Sequence, residues 1–287
     1  MLNKKLVKMI SKRKLYYSLS PNLRYALRRI YFYPIDLWDT ITGKRDKTIP
    51  PRGLIFIGPG DYKKIGEHYL DVFKEHCGLK PTHRVLDIGC GIGRIAIPLT
   101  KYLNSNGAYE GFDIVKRGID WCKKNITTKY PNFKFIHIDL KNDLYNLTTE
   151  EAAKNFVFPY NDNEFDLIVL TSVFTHMLPE DIENYTKEIN RVLKVGGKCL
   201  ATYFILNLES INYMKANAGL NFEFDMGTYS LLDKNVKEAN IAFDEEYLLN
   251  LITKNNLILE KKLYGFWSGR PKNESFDFQD TLIFSKK

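Results

Sequence analysis

Two kinds of pattern divide the chain. In the first part, apolar side chains recur along one side of a helix predicted over residues 2–17, and lysines recur along another side. Ser20 and the proline that follows it predict the start of a second helix, which reaches about Tyr31 and which Pro34 ends. We place this helical N-terminal extension at residues 1–52.

From residue 54 onward, apolar runs of strand length alternate with segments of helical periodicity, which is typical of βαβ units and a parallel sheet. The predicted strands lie at residues 84–88, 108–113, 133–138, 165–171, 198–205, 257–264 and 277–285. The predicted helices lie at residues 62–77, 116–126, 179–193 and 244–255, with a further helix, kinked by Pro98, ending near residue 103. Gly196 and Gly197 are expected to stop the helix that precedes them. Residues 207–240 are mixed in character and are expected to be an acceptor-site insertion within a main domain, 53–287.

The net charge of +8 comes from the N-terminal extension. Residues 1–52 hold 13 Lys or Arg against 3 Asp, which leaves 29 of the 42 basic and 31 of the 34 acidic residues for the rest of the chain. A cationic extension beside a neutral domain fits peripheral contact with an anionic membrane surface or an acidic partner as well as it fits nucleic acid. A helical lid or a dimer contact over the binding site is the plainer interpretation, and we prefer it. Because the main domain is neutral and lacks a recognisable RNA-binding motif, we do not expect nucleic acid as a partner.

Composition and spacing exclude several classes of protein. No apolar run reaches the roughly 18 residues that a membrane-spanning helix requires. Lysines interrupt the first 17 residues, so no secretory signal is predicted. The four cysteines, Cys77, Cys90, Cys122 and Cys199, lie far apart and indicate neither a zinc site nor a disulfide framework. We therefore expect a cytoplasmic protein without a bound metal.

The strongest chemical signal is a glycine-rich turn after the first predicted strand. That strand ends in Asp87 and continues through Gly89, Gly91 and Gly93 into a helix. Glycine permits φ > 0 and lets a ligand approach the backbone closely. A pyrophosphate-binding turn would have its third glycine one residue later, where this chain has Arg94. Because a carboxylate beside the turn repels phosphates and attracts an ammonium group, we expect a ligand with a cation at this point.

Two further acids end the neighbouring predicted strands. Asp113 closes the second strand, where a carboxylate can accept both hydroxyls of a ribose. Asp139 follows the third strand, where an acid could accept from an adenine amino group. With Asp87, these acids describe an adenosine ligand that has no phosphates and a positively charged tail.

With these residues in place, the chain from about residue 54 resembles the class I S-adenosylmethionine-dependent methyltransferases. The resemblance rests on the Asp87-x-Gly89-x-Gly91-x-Gly93 turn, Asp113, Asp139, the 158–160 and 165–169 segments, and the 188–197 segment. It implies an α/β fold with a Rossmann-like, seven-stranded, mostly parallel sheet, helices on both faces and an antiparallel last strand. It also implies S-adenosylmethionine as cofactor and S-adenosylhomocysteine as product. The predicted cofactor-binding residues are Asp87, Gly89, Cys90, Gly91, Gly93, Asp113, Ile114, Asp139, Leu140 and Thr171.

The candidate acceptor side follows the fourth predicted strand. His176 could act as the general base for an oxygen acceptor, because imidazole titrates near neutral pH. It could equally line the pocket, cap the next helix or bond the cofactor. The other candidate acceptor-binding residues are Phe174, Tyr229, Trp267 and Arg270. In this interpretation Trp267 offers a stacking face and Arg270 an anion contact; ordinary packing in a hairpin corner is the alternative.

We therefore expect an S-adenosylmethionine-dependent methyltransferase that O-methylates a small-molecule, glycan or lipid-linked acceptor. Two other classes remain open. One is an oxidoreductase with an NAD-type cofactor, which the glycine spacing disfavours. The other is a non-catalytic module that binds the adenosyl group.

Overall fold

A computed structural model describes residues 19–58, 60–216 and 219–287 of the 287-residue chain. The helix predicted over residues 2–17 lies outside these residues, and the boundary between extension and main domain stays a prediction. No helix in the described ranges has both the length and the apolar character to cross a bilayer. The cytoplasmic location stays a prediction.

Seven strands form the main sheet, as expected for an α/β fold with a mostly parallel sheet. They are β1 (Arg84–Ile88), β2 (Ala108–Asp113), β3 (Phe133–His137), β4 (Phe165–Leu170), β5 (Leu193–Tyr203), β10 (Leu257–Leu263) and β11 (Asp280–Lys286). Their order across the sheet is β10-β11-β5-β4-β1-β2-β3. Only β11 runs antiparallel to its neighbours, so the sheet matches the predicted fold class. Because the chain order reverses between β1 and β4, the carboxyl ends of these strands border a crevice.

Helices cover both faces of this sheet. The helices of the described residues are α1 (Pro21–Ile41), α2 (Tyr62–Cys77), α3 (Ala96–Tyr102), α4 (Lys116–Cys122), α5 (Pro179–Val192), α6 (Leu208–Ala216) and α7 (Glu245–Lys254). Successive side chains of a strand point to opposite faces, so Val85 packs into one core with α2, α3 and α4. Leu86 packs into the other core with α5 and α7. The centre of the sheet is therefore buried on both sides, which explains the nearly continuous apolar sequence of β4.

The predicted insertion has its own secondary structure. After β6 (Ile205–Leu206) and α6, the chain forms β7 (Phe224–Asp225), β8 (Tyr229–Leu231) and β9 (Ile241–Asp244). These strands make a second sheet in the order β6-β9-β8-β7. A 3₁₀ turn, Lys237–Ala239, returns the chain toward the main sheet before β9.

Two prolines affect their helices differently from the prediction. Pro34 lies inside α1, which continues to Ile41. The Asp36 carboxylate accepts hydrogen bonds from the backbone N–H groups of Arg52 and Gly53, at 2.7 and 2.9 Å, and anchors the second half of the helix to the following loop. Pro98 causes no kink, because α3 begins at Ala96 and the first turn of a helix has no intrahelical N–H bonds to lose.

The glycines after α5 also act differently from the prediction. The helix ends at Val192, and Gly196 and Gly197 lie inside β5 rather than stopping the helix. Phe165 pairs with Leu193, but the next paired residues are Leu167 and Lys198, so β5 bulges between them. Gly196 has φ +74°, a conformation that suits such a bulge.

Candidate cofactor and acceptor site

A cavity of about 810 Å³ opens at the carboxyl ends of β1, β2 and β4. Pockets for one ligand typically measure roughly 300–1,000 Å³, so this cavity has room for a cofactor and a small acceptor. The sequence-predicted residues that line it are Asp87, Gly89, Cys90, Gly91, Asp113, Ile114, Leu140, Thr171 and His176. The structure shows that these residues line the same cavity, while their individual roles stay predictions.

The turn after β1 has a backbone conformation that favours glycine at two positions. Gly89 and Gly91 have φ of +71° and +59°, which residues with a Cβ rarely adopt. A Cβ on Gly91 would lie 2.7 Å from the Ile57 side chain. Gly93, in contrast, does not line the cavity; a Cβ there would lie 2.8 Å from Ile126. Gly93 therefore serves the packing of the helix behind the turn.

Asp113 holds this turn in place. Its two carboxylate oxygens accept hydrogen bonds from the backbone N–H groups of Gly91 and Val115, at 2.8 and 2.7 Å. Burial raises the pKa of Asp113 to about 6, although these two bonds favour the charged form. Each oxygen keeps a second lone pair that could accept from a ribose hydroxyl.

Asp87 has an unsatisfied oxygen at the cavity. Its side chain is 1% exposed, and one oxygen accepts from the Tyr109 hydroxyl at 2.6 Å. The other oxygen, Oδ1, has no hydrogen-bond partner among the described residues. Burial raises the pKa of this carboxyl to about 7. A buried, unpaired carboxylate oxygen is costly on its own, so this residue fits the ammonium group of an amino-acid ligand such as S-adenosylmethionine.

His176 is fixed in one orientation by the insertion. Its Nδ1 lies 2.9 Å from the carbonyl oxygen of Glu238, and its ring packs edge-on against Tyr145. Because a carbonyl oxygen can only accept, Nδ1 carries the proton of the neutral ring and Nε2 carries a lone pair. Burial lowers the pKa of His176, against the opposing effect of the carbonyl groups of Glu238 and Ala239. The ring is therefore neutral at neutral pH.

Two residues beside His176 were not predicted from the sequence. Asn142 and Glu238 both line the cavity, and the Asn142 amide donates to Glu238 at 2.9 Å. Glu238 also accepts from the backbone N–H of Asp143 at 2.6 Å, and burial raises its pKa to about 8. The two residues are 96 positions apart, so no local pattern could have paired them.

The end of the chain also contributes residues that the sequence assigned to a strand. Strand β11 begins at Asp280 rather than at 277, and residues 277–279 line the cavity. Asp277 lies 3.4 Å from Nε2 of His68, and the Gln279 side-chain oxygen accepts from the Ser172 hydroxyl at 2.8 Å. This segment forms a polar side of the cavity together with Arg94.

Trp267 and Arg270 do not lie at the cavity, which corrects their predicted role in acceptor binding. Trp267 is 2% exposed, packs between Phe204 and other apolar side chains, and donates its Nε1 proton to Asp280 at 2.6 Å. Arg270 forms a two-bond ion pair with Glu209, at 2.7 and 2.9 Å, so its charge is already paired. Both residues stabilise the base of the insertion.

Three other predicted residues also lie outside the cavity lining. Asp139 is exposed and accepts from the Asn146 amide at 2.8 Å. Phe174 is fully buried and stacks on Tyr203. Tyr229 packs beside Phe243 in the second sheet.

The sheet order, the glycine turn and the acids at the strand ends define the fold of a class I methyltransferase. Residues 85–197 match the family model described as a methyltransferase domain. The match confirms the predicted family, whose methyl donor is S-adenosylmethionine. No cluster of three His, Cys, Asp or Glu side chains in the described part of the chain is arranged to hold a metal ion.

Several characterised proteins resemble parts of the chain. The tRNA N(3)-cytidine methyltransferase METTL2 of Gallus gallus is 27% identical over 45% of this chain and 32% of its own length. The demethylmenaquinone methyltransferase of Staphylococcus aureus is 28% identical over 56% of this chain and 58% of its own. The magnesium protoporphyrin IX methyltransferase ChlM of Synechocystis, solved with bound S-adenosylhomocysteine, shares the fold with a TM-score of 0.50, at 14% identity over 89% of this chain and 99% of that one. The chain thus covers 32% and 58% of the lengths of these two curated relatives.

These relatives correct one expectation. The sequence argued against nucleic acid as a partner, but tRNA methyltransferases are among the curated relatives, from Gallus gallus and Homo sapiens alike. The exclusion was wrong because it relied on the neutral charge of the main domain, and charge balance alone does not determine the acceptor. Nucleic acid therefore stands among the candidate acceptors.

Proposed function

We propose that the protein transfers the methyl group of S-adenosylmethionine to a hydroxyl oxygen of an apolar small-molecule or lipid-linked acceptor. The observation that carries this proposal is one cavity that contains two functional groups of different chemistry. Asp87 presents an unpaired carboxylate oxygen in it, and His176 presents a neutral ring beside Glu238. A cation-binding group and a proton acceptor in one cavity suit methyl transfer to oxygen.

The walls of the cavity favour an apolar acceptor. Apolar side chains form much of its lining, among them Phe56, Ile57, Ile65, Leu220 and Phe278. Apolar walls exclude water, which strengthens the electrostatic interactions inside and limits side reactions. The resemblance to a demethylmenaquinone methyltransferase supports the same acceptor class.

Each functional residue has a defined task in this proposal. When bound, the cofactor supplies a methyl group activated by a sulfonium. Asp87 holds the ammonium group of the cofactor, and Asp113 accepts from its ribose while keeping the glycine turn in place. His176 receives the acceptor's proton on Nε2 as the oxygen takes the methyl group and the C–S bonding pair returns to sulfur. Most of the rate enhancement would come from holding both reactants in line.

The test combines cofactor binding with an acceptor screen. The protein is titrated with S-adenosylmethionine and with NAD, and is then supplied with methyl-labelled cofactor and three acceptor classes: phenolic or quinol lipids, glycans and tRNA. Label in the lipid fraction supports the proposal, whereas label in tRNA alone, or binding of NAD alone, overturns it. His176→Gln should lower kcat by a factor of about 10² or more without changing cofactor affinity. His83→Gln, a change at a histidine outside the cavity, is the matched control.

A tRNA acceptor is the second candidate, because a curated relative methylates tRNA and residues 1–52 are strongly basic. In that case the label would enter tRNA, and transfer would fall steeply with added salt because phosphate contacts release counterions.

A further inference from the structure

Helix α1 carries an apolar ridge that no described part of the molecule covers. Its members lie along one side of the helix, with separations that include three, four and seven residues, and we call them the α1 ridge: Leu23, Leu27, Ile30, Leu37, Trp38 and Ile41. Ile30 is 70% exposed, Trp38 61% and Ile41 72%. Side chains of this size are normally buried in a stable helix, because an apolar stripe packs against a core. An exposed patch of this kind marks a binding surface.

The opposite side of the helix fixes its orientation. Arg24 donates a hydrogen bond to the carbonyl oxygen of Leu144, and the Tyr25 ring packs edge-on against Phe56 at 5.8 Å between centroids. The Asp36 carboxylate anchors the second half of the helix to the loop at 52–53. The α1 ridge therefore points away from the domain because the other side is bonded to it.

The charges around the ridge are almost all positive. Asp36 and Asp39, the acids of α1, are turned toward the loop and bonded to its backbone or to Arg52. No ion pair among the described residues neutralises the following cations: Arg29, Lys44, Arg45 and Lys47. These four cations of the described residues thus accompany an uncharged apolar ridge.

We propose that the α1 ridge docks on an anionic lipid surface. Helices that lie in a membrane interface combine an apolar face, aromatic residues at the edge and basic residues that meet anionic headgroups. Trp38 and Tyr31, which is 74% exposed, provide the aromatic residues. RNA is disfavoured as occupant because the exposed face itself carries no charge. A second copy of the chain is disfavoured because pairing would bring two strongly basic segments together without acids between them.

Docking at this place would bring the cavity to the membrane. Tyr25 contacts Phe56, which lines the cavity, and Leu144, bonded to Arg24, is followed by Tyr145, which also lines it. A lipid-soluble acceptor would then enter from the bilayer without crossing water. This second step rests on the proposed function, whereas docking itself does not.

The fluorescence of Trp38 provides a direct readout of docking. Of the three tryptophans, Trp121 is partly buried and Trp267 is 2% exposed, so a large change in emission on docking reports Trp38. The full chain is mixed with vesicles of phosphatidylcholine alone, or of phosphatidylcholine and phosphatidylglycerol in equal parts. We expect co-sedimentation and a blue shift of emission with the anionic vesicles only, both weakened by salt.

Paired variants distinguish docking through the α1 ridge from nonspecific binding by exposed apolar side chains. Ile30→Ser with Leu37→Ser should weaken binding to anionic vesicles about tenfold or more, because each removes an inserted apolar side chain. Val195→Ser with Leu208→Ser, at residues 72% and 78% exposed outside α1, should leave binding unchanged. Equal loss in both pairs, absence of vesicle binding, a dimer that dissociates with the ridge pair, or tRNA binding lost with that pair would each overturn the proposal. Cofactor affinity should be the same in all variants, so a failure of docking leaves methyl transfer standing.

Discussion

Replacement of Asp87 by Asn tests the cation-binding end of the cavity with the least disturbance. The amide has the size of the carboxyl group, and its oxygen can still accept from the Tyr109 hydroxyl. The unpaired Oδ1, however, becomes an NH₂ group that donates rather than accepts. The variant therefore keeps the fold and loses the acceptor for an ammonium group.

The expected loss follows from the burial of this carboxylate. A hydrogen bond to a charged group is worth about 1.5–3 kcal/mol, which corresponds to roughly ten- to a hundredfold in affinity. Because burial raises the pKa of Asp87 to about 7, the empty site is partly protonated at neutral pH. Affinity for a cationic ligand should therefore rise between pH 6 and pH 8 in the wild type and stay flat in Asp87→Asn.

Two ligands make the measurement specific. S-adenosylhomocysteine carries the amino-acid end, whereas 5′-methylthioadenosine lacks it, so calorimetric titration should show a loss for the first ligand only. Asp166→Asn is the matched control, since Asp166 pairs with Lys194 away from the cavity and should change neither affinity. Equal losses for both ligands, or no loss for either, would refute the reasoning that Asp87 faces the ammonium group.

Three further predictions concern stability and the turn. The raised pKa values of Asp87 and Asp280, each about 7, contribute stability that is complete below about pH 4 and is lost as pH rises through 7. The melting temperature of the empty protein should therefore fall between about pH 4 and pH 7 and level off above that range, with a smaller fall in Asp87→Asn. Trp267→Leu should lower the free energy of unfolding, measured in urea, by about 3 kcal/mol and leave the cofactor and acceptor affinities unchanged. An altered acceptor KM would show that Trp267 does take part in acceptor binding. Asp113→Ala should weaken cofactor binding about tenfold or more and speed amide exchange at Gly91, whose N–H it holds; unchanged exchange would contradict that contact.

The sheet was predictable because its signals are local. Strands β1 and β2 have the predicted boundaries, because local turn residues mark them: Gly89 follows β1, and Asn104 to Gly107 precede β2. Pro34 shows the limit of local rules: the bonds of Asp36 to a loop 16 residues away outweigh the tendency of proline to end a helix.

The site was only partly predictable because half of it depends on distant contacts. The turn residues and Asp113 follow from position at the ends of neighbouring parallel strands. The partnership of Glu238 with Asn142 depends on how the insertion folds back, which no periodicity encodes. The position of Trp267 could not be predicted, because an aromatic ring in a glycine-rich corner suits a binding face and a packed core equally well. Its burial in the structure decides between the two.

The position of β11 has a consequence for how the protein reaches this structure. Strands β5 and β10 do not pair with each other; both pair with β11, which follows them in the chain and fills the space between them. Until β11 inserts, a nascent or shortened chain exposes two open strand edges, each a template for association with other chains. Insertion of one late strand thus closes both edges and brings residues 277–279 to the cavity, so assembly of the binding site and protection from aggregation occur in the same folding step.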